Sequence, residues 1–318
     1  MNNLQTFQPV TFQLYWLDQF QSYLENDLRK VTKRQLGENS IDLAVQHIRV
    51  FSLWYEVEFN QPFNKDELVN YHFKLFRKHS LDEAKVTAPT WNSRLWALKI
   101  FCQWLGLPEM LDGIEAKAHG AISERNRSMD EKEYHDLIIE YQKDIRAAVT
   151  QFDYFQAVRN YAFTAVMLEC GLRVAECAAL DVTDIKLTER SGYVYVRDGK
   201  GGKERKVPMM KREESIIRPA LETWMSLLGS SSTTALFTGK ATERLDVRSM
   251  ERIVKDMTTR IGSADITCHC LRYTFAKRLQ RKGIPIEEIS RLLGHSSITV
   301  TQRYLRSSLA ELQSMMDG

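Results

Sequence analysis

TCHCLRYTFAKRLQRKGIPIEEISRLLGHSSITVTQRYLR, residues 267–306, is the stretch on which the reading turns. It carries His269, Arg272, His295 and Tyr304 on three successive helical patterns. Thr267 stands at the N-cap of the first helix, whose apolar stripe is Leu271, Phe275 and Leu279. His269 and Arg272 are three apart, so both project from one side of its first turn. Pro285 opens a second helix with Ile286, Ile289, Leu292 and Leu293 facing inward, and Gly294 closes it. His295 comes directly after that glycine, and Ser296 or Ser297 caps a third helix that carries Tyr304. Tyrosine forms covalent intermediates, arginine grips phosphate with a forked pair of hydrogen bonds, and histidine moves protons near neutral pH. Taken singly, each of these side chains is ordinary on an amphipathic helix, so the set needs partners elsewhere in the chain.

The 318 residues have room for two domains, and 43% hydrophobic residues supply a core for each. The net charge of +3, from 44 basic and 41 acidic side chains, makes any nucleic-acid footprint local rather than global. With a mean hydropathy of -0.37 and no apolar run of membrane-spanning length, no membrane partner is expected. The start, MNNLQTFQPVTF, lacks the basic and apolar regions of a signal peptide. Five scattered cysteines point to reduced thiols and a cytoplasmic protein. Cys268-His269-Cys270 does not reproduce zinc-ligand spacing, and Cys170 and Cys177 read as core thiols, so no metal is expected.

Residues from about 10 to 107 read as helix after helix. Phe12, Tyr15, Trp16, Phe20 and Tyr23 form one apolar stripe. Leu43, Val45, Ile48, Phe51 and Trp54 form another, with Ser40 near its start. Asn64 caps a third segment holding Leu68, Tyr71, Phe73 and Phe76. The fourth, Thr90 to Leu105, holds Trp91, Leu95, Leu98, Phe101 and Trp104, and stops at Gly106 and Pro108. This is a bundle of about a hundred residues, an ordinary domain size. Arg29, Lys30, Lys33, Arg34, Lys74, Arg77, Lys78 and His79 are either a track for a DNA backbone or an ordinary solvated face.

KAHGAISERNRS, residues 117–128, is poor in apolar residues and reads as a linker. The expected division is 1–120, a linker at 121–129, and a second domain at 130–318. Helices resume at Asp130, with Tyr134, Leu137, Ile138 and Tyr141 as a stripe. Phe163, Val166, Met167 and Leu180 belong to a helical pair broken at Gly171. The period then changes: Gly192 to Arg197 alternates, a glycine-rich turn follows, and Arg205 to Met209 returns as a hairpin. The turn, Asp198 to Lys203, lacks the order of a nucleotide-binding loop and reads as a tip presenting lysine. Arg197, Lys200, Lys203, Arg205, Lys206, Lys211 and Arg212 make it the densest basic patch, or a solvated turn.

At GLRVAE, residues 171–176, an arginine follows a helix-breaking glycine and precedes another helix. In chain order the sequence therefore offers Arg173, Lys200, His269, Arg272, His295 and Tyr304. With GKGGKERKVP, HCLRYTFA and LLGHSSITVTQRY, these segments resemble the tyrosine recombinases, also called the phage-integrase family. The resemblance spans most of the C-terminal domain and holds order and local context at all six positions.

The resemblance implies a mainly α fold: a SAM-like, core-binding helical bundle followed by a catalytic domain of mixed helices and a small β-hairpin or sheet. It implies a site-specific recombinase that cuts and rejoins DNA through a 3′-phosphotyrosyl link. Arg173 and Arg272 would clamp the scissile phosphate, with Lys200 as general acid for the 5′-hydroxyl. His269 would assist proton transfer, His295 would hydrogen-bond the phosphate, Tyr304 would attack, and Glu176 would support the site from behind. Preorganised cationic donors suit the charge that gathers on phosphoryl oxygens, and guanidiniums supply it without titrating. The protein–DNA linkage conserves the bond energy, so no ATP, metal or other cofactor is expected. Tyr273 departs from the family, which often has a second histidine there. At this length no arm-type domain is expected before the bundle, as in Xer-like resolvases, transposon recombinases and small integrases. Leu309, Leu312, Met315 and Met316 in the tail fall at helical spacing, and pack either on their own domain or, as in the family, on a neighbour. The partners implied are double-stranded DNA with paired inverted-repeat core sites and further copies of the chain, as a tetramer on DNA. A type IB topoisomerase-like enzyme and a catalytically silent DNA-binding protein are the alternatives.

Overall fold

The computed structural model describes residues 15–28, 36–118, 127–189, 191–199, 203–211, 215–229, 233–239, 243–295 and 297–305, with backbone alone at 198, 199, 203, 303 and 304. The chain divides into two compact units, Met1–Ile122 and Ser123–Gly318. Among the described residues no helix is long and apolar enough to cross a membrane. All five cysteines are free and buried.

The first unit is helical: α1 (Tyr15–Asn26), α2 (Glu38–Phe59), α3 (Asn70–Lys78) and α4 (Ala88–Trp104). Its core is aromatic, with Phe51 stacked on Phe73 at 5.0 Å and Phe20 edge-on to Phe101 at 5.4 Å. The stripes read in the sequence coincide with the buried faces in part: Phe20, Ile48, Phe51 and Trp54 are buried, and Trp16, Tyr23 and Val45 pack against the core. On α1 the buried residues are Leu17, Phe20 and Leu24, while Tyr15 is 71% exposed. On α2 burial follows Ile41, Ala44, Ile48, Phe51, Trp54 and Tyr55, while Leu43 is exposed. Asn64 caps only a short turn, Lys65–Glu67, accepting the Asp66 N–H at 3.1 Å. The backbone is extended at Leu68 and Val69 before α3 begins, so the helical phase restarts. Phe73 and Phe76 then face the core, and Tyr71 does not. The basic positions Arg29, Lys30, Lys33 and Arg34, and Phe12, lie outside the described residues.

The second unit begins with α5 (Glu131–Ala147) and α6 (Gln151–Cys170), followed by the short α7 (Val174–Ala179). Asp130 and Glu133 form a reciprocal capping box that starts α5. Three antiparallel strands follow, β1 (Ile185–Leu187), β2 (Gly192–Gly199) and β3 (Lys203–Pro208), in the order β1-β2-β3. The sequence pattern shows the β2–β3 hairpin but not β1, whose three residues are too few to display a period. Five helices complete the unit: α8 (Ile217–Leu228), α9 (Val247–Arg260), α10 (Cys268–Arg281), α11 (Ile286–Leu293) and α12 (Ile298–Leu305). The chain is therefore mainly α, with one small antiparallel sheet among the described residues.

Helix α10 runs through the middle of this unit. Leu271, Phe275 and Leu279 are buried as their spacing predicts, but so are Cys270, Arg272, Tyr273, Thr274 and Lys277. The polar members survive burial by bonding. Thr274 Oγ1 donates to the Cys270 carbonyl at 2.9 Å and accepts the Met129 N–H at 2.8 Å, and Lys277 Nζ donates to the Leu305 carbonyl at 3.5 Å. A single face turned outward near its first turn, at His269, leaves that turn accessible.

Candidate active site

Two helix ends, at Gly171 and Gly294, bring charged side chains together. Helix α6 ends at Gly171, whose left-handed φ of 59° turns the chain so that Arg173 becomes the N-cap of α7. Arg173 is fixed twice by one carboxylate: its N–H donates to Glu176 Oε2 at 2.8 Å and its Nη1 to Oε1 at 2.6 Å. Arg272, only 1% exposed, donates from Nη1 to the Gly171 carbonyl at 2.7 Å and from Nη2 to the Leu293 carbonyl at 2.6 Å. It thus ties the end of α6 to the end of α11, with Nη1 3.7 Å from Glu176 Oε2. A third guanidinium, Arg205 on β3, meets the same carboxylate at 2.7 and 3.1 Å. One carboxylate facing three guanidiniums leaves the cluster net positive. Burial alone would push the Glu176 carboxyl up, but the hydrogen bonds and charge of Arg205 and Arg173 hold it below the ordinary value.

Two histidines complete the cluster. Helix α11 stops at Gly294, with φ 65°, and His295 follows with Nδ1 2.7 Å from Thr301 Oγ1. Burial, then the charges of Arg272, Arg173 and Arg205, push the His295 imidazole down to about 3. His269, the second residue of α10, stands edge-on to Tyr273 at 5.0 Å. Burial, Arg272 and Arg173 likewise lower its affinity for protons. Both rings are therefore neutral at pH 7, each with one nitrogen able to donate and one able to accept. Beside them a cleft of about 570 Å³ is lined by Arg173, His269, Arg272 and the start of α10, with Glu251 and Lys255 of α9 on its wall. Fixed guanidiniums, the positive N-terminal end of a helix and neutral imidazoles suit a phosphate-sized anion.

Residues 128–311 match the phage integrase family. The chain belongs to that family. Among curated relatives, the tyrosine recombinase XerC of Pelobacter propionicus is 36% identical over 161 residues, covering 50% of this chain and 51% of the relative. XerC of Bifidobacterium longum is 32% identical over 170 residues, covering 50% and 46%. The chain thus spans about half the length of the curated relatives it matches. Among solved structures, a XerH site-specific recombinase in a post-cleavage complex with palindromic difH substrate aligns with TM-score 0.70 at 16% identity, over 96% of this chain and 94% of that one. A lambda integrase(75-356) dimer bound to a COC' core site aligns with TM-score 0.65 at 16% identity, over 92% and 94%. These likenesses show that the integrase fold extends over both units.

Within this integrase-family chain, Arg173, Glu176, Arg272 and His295 converge on one cluster, and His269 lines the adjoining cleft. Lys200 lies outside the described residues, as does the tail from 306 onward. Tyr304 lies in α12, with its side chain outside the described set. That helix is held by Thr301 and Leu305, both buried, one turn before residue 304 and next to it. Two members of the cluster escaped the sequence reading. Arg205 reads there as part of a surface patch, yet strand alternation puts it on the face of Val207, which is 0% exposed. Arg197 of the same patch stays exposed but is ion-paired, to Asp181 at 2.6 Å and Asp184 at 2.8 Å. Thr301, three residues before Tyr304, carried no sequence signal beyond helical spacing.

Proposed function

We propose that this chain is a site-specific DNA recombinase that cuts and rejoins strands through a 3′-phosphotyrosyl intermediate, working on DNA in the cytoplasm. The carrying observation is the arrangement of Arg173 and Arg272 around Glu176, with His295 in their field and His269 at the cleft. In this reading Arg173 and Arg272 bind the non-bridging oxygens of the scissile phosphate. Arg173 has the capacity: it is 29% exposed, and only Nη1 makes a short bond. The Tyr304 oxygen attacks phosphorus as its proton passes towards neutral His269. The P–O5′ bond breaks, and the 5′ oxygen takes a proton from Lys200. His295, oriented by Thr301 through Nδ1, hydrogen-bonds the phosphate. Glu176 touches no substrate and keeps Arg173 in place.

The partner in this reading is duplex DNA bearing paired inverted-repeat sites, on which four copies assemble through the C-terminal tail. The solved neighbours support the DNA partner by analogy, since one is a lambda integrase tetramer bound to a Holliday junction.

The test uses a pool of nicked duplexes with randomised flanks, from which covalent protein–DNA adducts are recovered under denaturing conditions. Wild-type protein is expected to yield adducts on a defined sequence class. Tyr304→Phe should bind the recovered duplex as tightly and form no adduct. Adduct formation by Tyr304→Phe would refute the nucleophile.

A further inference from the structure

Arg205 is a buried arginine that no step of the proposed chemistry uses. Its side chain is only 9% exposed and, unlike Arg173 and Arg272, it does not line the cleft. Each of its nitrogens is committed inside the protein. Nη2 and Nη1 donate to the two oxygens of Glu176 at 2.7 and 3.1 Å, and Nε donates to the Leu292 carbonyl at 2.7 Å. Three separate pieces of the site meet on this one side chain: strand β3, the carboxylate that fixes Arg173, and the last turn of α11. Gly294 lies against it so closely that an added Cβ would stand 2.9 Å from Nη1 and 3.2 Å from Cζ.

We propose that Arg205 is the positioning residue of this site: it divides the Glu176 carboxylate with Arg173 and holds the α11 terminus from which His295 departs, so that the phosphate-binding groups keep one geometry. The idea rests on the recombinase reading above. The physical argument concerns competition for one carboxylate. With Arg205 present, Glu176 offers Arg173 a single side-chain bond, at 2.6 Å on Oε1, and beyond it the guanidinium makes only a long bond, from Nη2 to the Gly294 carbonyl at 3.4 Å, that an anion could replace. Without Arg205, both carboxylate oxygens become available to Arg173. A two-pronged carboxylate pair is the stronger arrangement, and it would draw Arg173 back from the cleft. The same loss would release the Leu292 carbonyl and with it the lead into Gly294 and His295. Lysine at this position would keep a charge but not the fork, so it should restore little of the geometry.

Arg205→Met and Arg205→Lys separate these effects, with Gly294→Ala as a third route that displaces the guanidinium from outside. Single-turnover cleavage of a nicked duplex recovered from the pool should fall about 100-fold in Arg205→Met, as for a positioning error of about 1 Å. Binding of the same duplex should stay within about threefold. Arg205→Lys and Gly294→Ala should show the same division between chemistry and binding. A second readout uses no DNA: labelled histidines are titrated by NMR. The groups facing His295 are Arg173 and Glu176 of α7, Arg205 of β3, Arg272 of α10 and Thr301 of α12. Its titration should move towards neutrality in Arg205→Met and less in Arg205→Lys, at unchanged melting temperature or after correction for the folded fraction. A merely structural role would lower the folded fraction and leave the titration of the folded remainder where it was. Wild-type cleavage rates in Arg205→Met, or an unmoved His295 titration, would overturn the proposal. Should wild-type protein form no adduct at all, the recombinase reading fails, and the histidine titration alone still decides whether Arg205 sets the cluster.

Discussion

His295 is neutral in this fold because three guanidiniums and burial oppose its protonation, and only Glu176 favours it. Nδ1 lies 2.7 Å from Thr301 Oγ1, which orients the ring. A consequence for stability follows with a definite sign. The unfolded chain takes up a proton on this ring near its ordinary value of 6.5, and the folded chain only near 3. Between those limits the unfolded state binds more protons, so stability is full above pH 6.5 and is lost as the pH falls towards 3. His269, His47 and His72 are lowered as well and act in the same sense. The lowered carboxylates Glu133 and Asp265 begin to protonate only further down, so the interval from pH 6.5 to 5 belongs to the histidines. Urea denaturation through that interval should show stability declining by at most about 1.4 kcal/mol per pH unit for His295. In His295→Asn the slope should be shallower. An equal slope in that variant would mean that the ring titrates normally in the folded protein.

Helical elements were legible where their polarity is one-sided, and less so where an element is buried all round or its phase restarts. The hairpin at β2–β3 stands out because Tyr193 to Val196 alternate, whereas β1 spans only Ile185–Leu187 and shows no period. Helix α10 displayed Leu271, Phe275 and Leu279, yet its burial at Arg272, Thr274 and Lys277 depends on carbonyls supplied by distant segments, which no local pattern encodes. Of the cluster, Arg173, Glu176, Arg272 and His295 stood out in the sequence, whereas Arg205, though inside the segment GKGGKERKVP, did not, because the sequence does not reveal which carboxylate a strand arginine will meet. Gly171 belongs to both accounts. Its place after α6 marks a helix end, but its second duty is invisible until α10 packs beside it. A Cβ there would lie 2.3 Å from Phe275 Cδ1, at a φ of 59° that L residues avoid. Phe275 is 3% exposed and has no space into which to retreat. Gly171→Ala should cost roughly 3 kcal/mol, from overpacking and backbone strain together. Because the Gly171 carbonyl accepts from Arg272, cleavage should fall further than the loss of folded protein explains. A melting temperature equal to wild type would show that α6 and α10 can separate without penalty.

Each unit has its own aromatic or aliphatic core, and all seven positions assigned to the site, from Arg173 to Tyr304, belong to Ser123–Gly318. In the recombinase reading, the chemistry and part of the grip on DNA are then separable. The first unit supplies Lys74, Arg77 and Lys78 on or beside α3, candidates for binding phosphates in the recombinase reading. A fragment comprising residues 123–318 has a core large enough to fold alone, with Trp224, Phe163 and Tyr141 all buried. It should retain the arginine cluster and form the covalent adduct slowly at high DNA concentration. Its affinity should be weaker than that of the full chain, and its dependence on salt shallower, by about 0.9 in the slope of log K against log salt for each phosphate that the first unit neutralises. Measuring binding at several salt concentrations separates the two terms, because a fragment that is merely part-unfolded loses affinity without changing slope. An intact affinity and slope would place DNA recognition wholly in the second unit, and the basic residues on α3 would then be an ordinary solvated face.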